Sequence, residues 1–118
     1  MNWNKLTQIE TLEEIKSKSQ TQPVLIYKHS TRCNISSMVL HKLERQWKPE
    51  EMRNVEIYFL DLIAHRDVSN AIESDFSVRH ESPQVLVITD GVCSYHDSHM
   101  GITYQALRRN LGSIEAVI

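Results

Sequence analysis

The 118-residue sequence predicts one α/β domain spanning residues 1–118, with a central mixed sheet of four to five strands and helices on both faces. Three observations carry this expectation. Val24-Leu25-Ile26-Tyr27 is apolar on both strand faces, as a covered central strand must be, and a helical stripe follows it. The strand–helix pairing recurs at Val55–Leu62 and Arg66–Asp75, which is the repeat that a parallel βαβ arrangement requires. Asp90-Gly91 then joins two further strand-like runs as a tight hairpin and adds an antiparallel pair.

Composition agrees with a compact globular chain. It is 41% hydrophobic and 24% charged, and its three glycines and three prolines divide it into element-sized pieces. A formal charge of −2 gives no basic footprint for nucleic acid or an anionic membrane. No apolar run approaches the ~18 residues of a membrane span, and Met1-Asn2-Trp3-Asn4-Lys5 has no signal-peptide core. The expected location is therefore the cytoplasm. Thiols stay reduced there, so two cysteines read as catalytic, metal-binding or inert before they read as a disulfide.

The elements follow in order. Trp3 to Ile9 offers a short edge segment in which Leu6 and Ile9 pack. Thr11-Leu12-Glu13-Glu14 has the form of a capping box and opens a helix over Leu12–Ser19, with Leu12 and Ile15 inward. Pro23 to Lys28 is the central strand. Ile35, Met38, Val39, Leu43 and Trp47 then fall on one helical stripe and are expected in the core, with Pro49 just beyond the helix end. A strand over Val55–Leu62 and a helix over Arg66–Asp75 follow, the latter marked by Val68, Ala71 and Ile72. Phe76 to Pro83 is a turn region entering the strand Gln84–Thr89, and Asp90-Gly91 returns the chain through Val92 to His96. Thr103 is placed as an N-cap, Ile102 and Leu107 as a hydrophobic staple, and Gly112 as a C-cap.

This order puts Cys33 where a buried strand ends and a helix begins. The unpaired N–H groups and positive pole of a helix N-terminus stabilise a thiolate, so this is a favoured position for a reactive cysteine. It is also the carboxyl end of a central strand, where open α/β sheets hold their sites. The competing state, an inert buried thiol, is the commoner one for free cysteine.

Several stretches together resemble a known family. They are Lys28-His29-Ser30-Thr31-Arg32-Cys33-Asn34-Ile35-Ser36, His80-Glu81-Ser82-Pro83-Gln84 and His96-Asp97-Ser98-His99. The chain from Pro23 to Leu111 is similar to the monothiol bacilliredoxins of the bacillithiol system, within the thioredoxin fold. Asn34 departs from the family's usual Pro after the cysteine. The resemblance implies a cis peptide before Pro83 and a substrate-pairing backbone edge at Ser82. It implies that Cys33 is the nucleophile of a glutaredoxin-like thiol-disulfide oxidoreductase, which removes bacillithiol or a similar small thiol from protein mixed disulfides. Ser36 stands where dithiol enzymes keep a second cysteine, so release of the captured thiol needs another small thiol from solution. The partners implied are S-bacillithiolated proteins and the low-molecular-weight thiol itself, which is a co-substrate; no cofactor is expected.

Among the cations near Cys33 and Pro83 in sequence (Lys28, His29, Arg32, Arg79 and His80), Arg32 and Arg79 are candidates to meet the malate carboxylates of bacillithiol. Ser36 is a candidate hydrogen-bond donor to the thiolate. Cys93 is expected far from Cys33, since Thr89 lies six residues beyond Pro83, roughly 20 Å at about 3.3 Å per residue. Cys93, His96 and His99 have metal-like spacing, but strand alternation turns residues 93 and 96 to opposite faces and no fourth ligand is apparent, so no metal is expected. Two other classes stay open: a thioredoxin-like adaptor with an unreactive cysteine, and a thiol peroxidase or arsenate reductase acting through Cys33.

Overall fold

The computed structural model describes residues 1–111. Five strands form one sheet in the order β1-β3-β2-β4-β5, where β1 is Asn4–Lys5, β2 Val24–His29, β3 Glu56–Asp61, β4 Gln84–Thr89 and β5 Val92–Ser98. The first three in that order run parallel, and β4 and β5 are antiparallel to their neighbours. The helices are α1 Thr11–Lys18, α2 Asn34–Gln46, α3 Arg66–Phe76 and α4 Tyr104–Leu111. None of them is long and apolar enough to cross a membrane.

Alternation along the central strand builds both cores. Val24 and Ile26 of β2 join Leu12 and Ile15 of α1 and Val68, Ile72 and Phe76 of α3 on one face. Leu25 and Tyr27 join Val39 and Leu43 of α2 and Tyr104, Leu107 and Leu111 of α4 on the other. By the same alternation Lys28 falls on the α1/α3 side and His29 on the α2/α4 side, and both are buried.

Three expectations about side chains fail for local reasons. The N-cap of α1 is Glu10, not Thr11, and no side chain caps the helix. The amides of Thr11 and Leu12 instead reach the carbonyls of Gln8 and Ile9, so the capping box has no orphan donor to serve. Ile9 is exposed; in the edge segment Leu6 is buried in the core and Trp3 packs against its other cluster. In α2, Ile35 and Met38 are 42% and 50% exposed; the inward face is Ser36, Val39 and Leu43, with Trp47 packed at its margin.

The other end of the chain follows expectation. The Thr103 hydroxyl accepts the Ala106 amide at 3.2 Å as an N-cap, and Ile102 and Leu107 share one buried cluster. Gly112, expected as the C-cap, lies outside the described residues. Asp90 and Gly91 both take positive φ, 52° and 78°, which is the type I′ geometry of a two-residue hairpin.

Candidate active site

The site forms where the carboxyl end of β2 meets the amino end of β4. Lys28 pairs with Gln84 across the two strands, so the loop after His29 and the segment before Gln84 emerge side by side. The first carries Cys33 and the second carries Ser82-Pro83, whose peptide bond is cis.

Cys33 is the N-cap of α2, with extended backbone at φ −114°, and its side chain is half-buried. Its amide donates to the Ser30 carbonyl at 3.2 Å, and its carbonyl accepts the Ser37 amide at 3.3 Å. No acidic residue occupies the first turn of α2. The positive pole of the helix is therefore not offset by a carboxylate of its own, and the thiol is the side chain seated at it. Asn34 opens the helix without the fixed φ that Pro would bring.

Ser36 is turned inward and fully buried. Its hydroxyl oxygen accepts the Ser30 amide at 3.2 Å and lies 2.7 Å from His29 Nδ1. Tyr27 donates its hydroxyl to the Ser36 carbonyl at 2.9 Å. These bonds pin both ends of the loop that carries Cys33 to β2. Ser36, expected as a donor to the thiolate, is therefore buried scaffold bonded to His29 and the Ser30 amide. Burial holds the His29 imidazole below its ordinary pKa, and it pushes the Tyr27 phenol up to about 12, so both remain neutral near pH 7.

Pro83 is buried, and its carbonyl accepts the His99 amide at 3.0 Å from the turn after β5. Ser82 is half-buried, and its hydroxyl oxygen is enclosed with no hydrogen-bond partner among the described residues. Arg32 and Arg79 are exposed, and neither guanidinium makes a hydrogen bond or ion pair with a described residue. Lys28 and His29, grouped by sequence with these cations, are internal and face opposite sides of the sheet. Exposed Ile35 and Met38 flank the thiol along α2, which packs against the His99–Gly101 turn bearing Met100, 62% exposed. Sequence reasoning missed this apolar rim, and it missed the His29–Ser36 bond. A lysine inside a doubly covered strand was the one readable signal of an internal polar cluster.

Cys93 sits at the opposite end. It pairs with Ile88, which pairs in turn with Val24 at the start of β2. A bulge at Ser94 shifts the register, because Val87 pairs with Tyr95 while Ile88 pairs with Cys93. Cys93 and His96 consequently share a face, contrary to simple alternation. Among the described residues no group of three or more His, Cys, Asp or Glu is placed to hold a metal.

Sheet order, a helix-capping cysteine and a cis-proline segment at one end together define the class: an oxidoreductase of the thioredoxin fold that works through a thiol. A solved structure described as having a thioredoxin fold is 28% identical, covers 89% of each chain and has a TM-score of 0.75. The thioredoxins of Trypanosoma brucei brucei and Fasciola hepatica share the fold at 13% and 18% identity, with TM-scores of 0.74 and 0.69. The match covers 98% of this chain and 92% of the trypanosome protein, and 92% and 95% for the fluke protein. Residues 4–107 match the family described as monothiol bacilliredoxin BrxC. The chain belongs to the monothiol bacilliredoxin family.

Proposed function

We propose that the protein is a cytoplasmic, glutaredoxin-like oxidoreductase that removes bacillithiol, or a similar small thiol, from protein mixed disulfides through Cys33. The observation that carries this reading is the pairing of a half-exposed thiol at a helix N-cap with a buried serine three residues on. The Cys33 thiolate attacks the small-thiol sulfur of the mixed disulfide. A new S–S bond forms between Cys33 and the small thiol, the old one breaks, and the protein cysteine leaves as a thiolate. Ser36 supplies no sulfur to resolve the adduct. A second small-thiol thiolate attacks it, releasing the small-molecule disulfide and regenerating the Cys33 thiolate.

Arg32 and Arg79 are exposed cations that make no hydrogen bond or ion pair with a described residue, which suits the carboxylates of the incoming thiol. Ser82 and Pro83 form the backbone edge on which the substrate chain lies. Intact-mass spectrometry tests the proposal with wild type and Cys33→Ser, each mixed with a bacillithiolated model protein. Wild type gains one bacillithiol while the model protein loses one, and the variant does neither. An unmodified wild type, or a variant that performs equally well, overturns the proposal and leaves the adaptor reading.

A further inference from the structure

Lys28 is a lysine with no solvent exposure in the middle strand of the sheet, and among the described residues no carboxylate forms an ion pair with it. A buried ammonium must be hydrogen-bonded if it is to persist. Its Nζ lies 2.7 Å from His80 Nδ1 and donates to Gln84 Oε1 at 3.2 Å. Both partners lie in one stretch, His80–Gln84, which contains Ser82 and Pro83. The stretch is closed on itself by Gln84 Nε2 donating to the Arg79 carbonyl at 2.9 Å, and it is fastened to α3 by the His80 amide donating to Glu73 Oε2 at 2.9 Å. Ser69 of α3 approaches the same His80 nitrogen at 3.4 Å.

We propose that Lys28 is a positioning residue for substrate docking: its ammonium grips His80 and Gln84 together and so holds the Arg79–Gln84 segment beside the Cys33 loop. The proposal rests on the reading of Ser82-Pro83 as the substrate edge and adds what fixes that edge in place. Lys28 leaves the strand one residue before His29, whose ring bonds Ser36 on the other face of the sheet. Neighbouring residues of one strand thus hold the two halves of the site, His29 the thiol loop and Lys28 the docking segment.

The arrangement needs His80 as an acceptor, hence neutral. Burial, and then the charge of Lys28, hold the His80 imidazole below its ordinary value, while burial draws Lys28 down to about 8. Glu73 on α3 and Glu81 in the segment act on His80 in the opposite direction, and Arg66 on α3 acts with Lys28. At neutral pH a charged Lys28 donates to a neutral His80. In acid, protonation of His80 sets two cations against each other and loosens the segment.

The test uses the full chain as wild type, Lys28→Met, His80→Leu and His80→Gln. Three quantities are read: KM and kcat for bacillithiol removal from a model protein, the rate of Cys33 alkylation by iodoacetamide, and amide hydrogen exchange across residues 79–84. Lys28→Met and His80→Leu raise KM about tenfold, leave kcat and alkylation within about twofold, and lose protection across the segment. His80→Gln keeps a side-chain acceptor and stays near wild type. His80→Leu changes an exposed residue, so it carries the test if Lys28→Met fails to fold. Unchanged KM and protection in the leucine variant overturns the proposal. So does a fall in kcat and alkylation at constant KM, which would place Lys28 behind the thiol instead. If wild type itself shows no exchange activity, the proposed function fails, and hydrogen exchange alone still decides whether Lys28 holds the segment.

Discussion

The two cysteines of this chain differ by place more than by exposure. Both are partly exposed, and neither is in a disulfide. Cys33 caps a helix beside the Ser82-Pro83 segment, with no acidic side chain in the turn that follows. Cys93 stands in a hairpin strand against the apolar α1/α3 core, its thiol donates to the Tyr95 carbonyl, and burial pushes its pKa above the ordinary value. The length of β2, roughly 16 Å at about 3.3 Å per residue, separates their ends of the sheet. Cys33 sits at a helix N-terminus, while Cys93 packs against the apolar core with the Tyr95 carbonyl at its sulfur. Burial in that core disfavours the thiolate of Cys93 and with it nucleophilic attack.

Removing the first sulfur has the largest effect. Cys33→Ser drops exchange with a bacillithiolated protein to background, read as loss of the mass-shifted adduct. Next comes a change that weakens the shelter of Cys93. Ile88→Ala, beneath it in the same core, opens a cavity, costs about 2–5 kcal/mol in urea denaturation, and raises Cys93 labelling in the native protein.

A smaller contrast needs no mutation. Iodoacetamide at neutral pH labels Cys33 first, by about tenfold or more in rate. Cys93 labelling climbs only as pH rises into the alkaline range, because a raised pKa keeps the thiol protonated until then. Equal rates at pH 7 by peptide mapping would erase the distinction. The smallest effect belongs to Cys93→Ser, which leaves exchange within about twofold and stability within about 1 kcal/mol by thermal melt.

Element types, the hairpin and the position of Cys33 were readable because each rests on a local pattern. The run at Val24–Tyr27 is apolar on both faces, and Asp90-Gly91 favours positive φ; tertiary contacts change neither fact. The phase of α2 was not readable. Its buried face includes a serine, satisfied by His29 and the Ser30 amide, while Ile35 and Met38 turn outward at the thiol end. Hydrophobicity alone reads that face wrongly, because a bonded hydroxyl is buried as readily as a methyl. The face shared by Cys93 and His96 was hidden for another reason. A single bulged residue, Ser94, reverses alternation, and nothing in the residue types around it announces the bulge. Lys28 was visible as an odd residue in an apolar strand, but its partners His80 and Gln84 lie over 50 positions away and become neighbours only through the β2–β4 pairing.

That bulge has a bearing on how the molecule behaves in a crowd. An open sheet invites other chains to add strands at its margins, and a long flat margin is where fibrils begin. Here one margin, β1, is two residues long, and the other, β5, is kinked by its extra residue and carries His96 and Asp97 along its length. Neither gives a stranger a straight template.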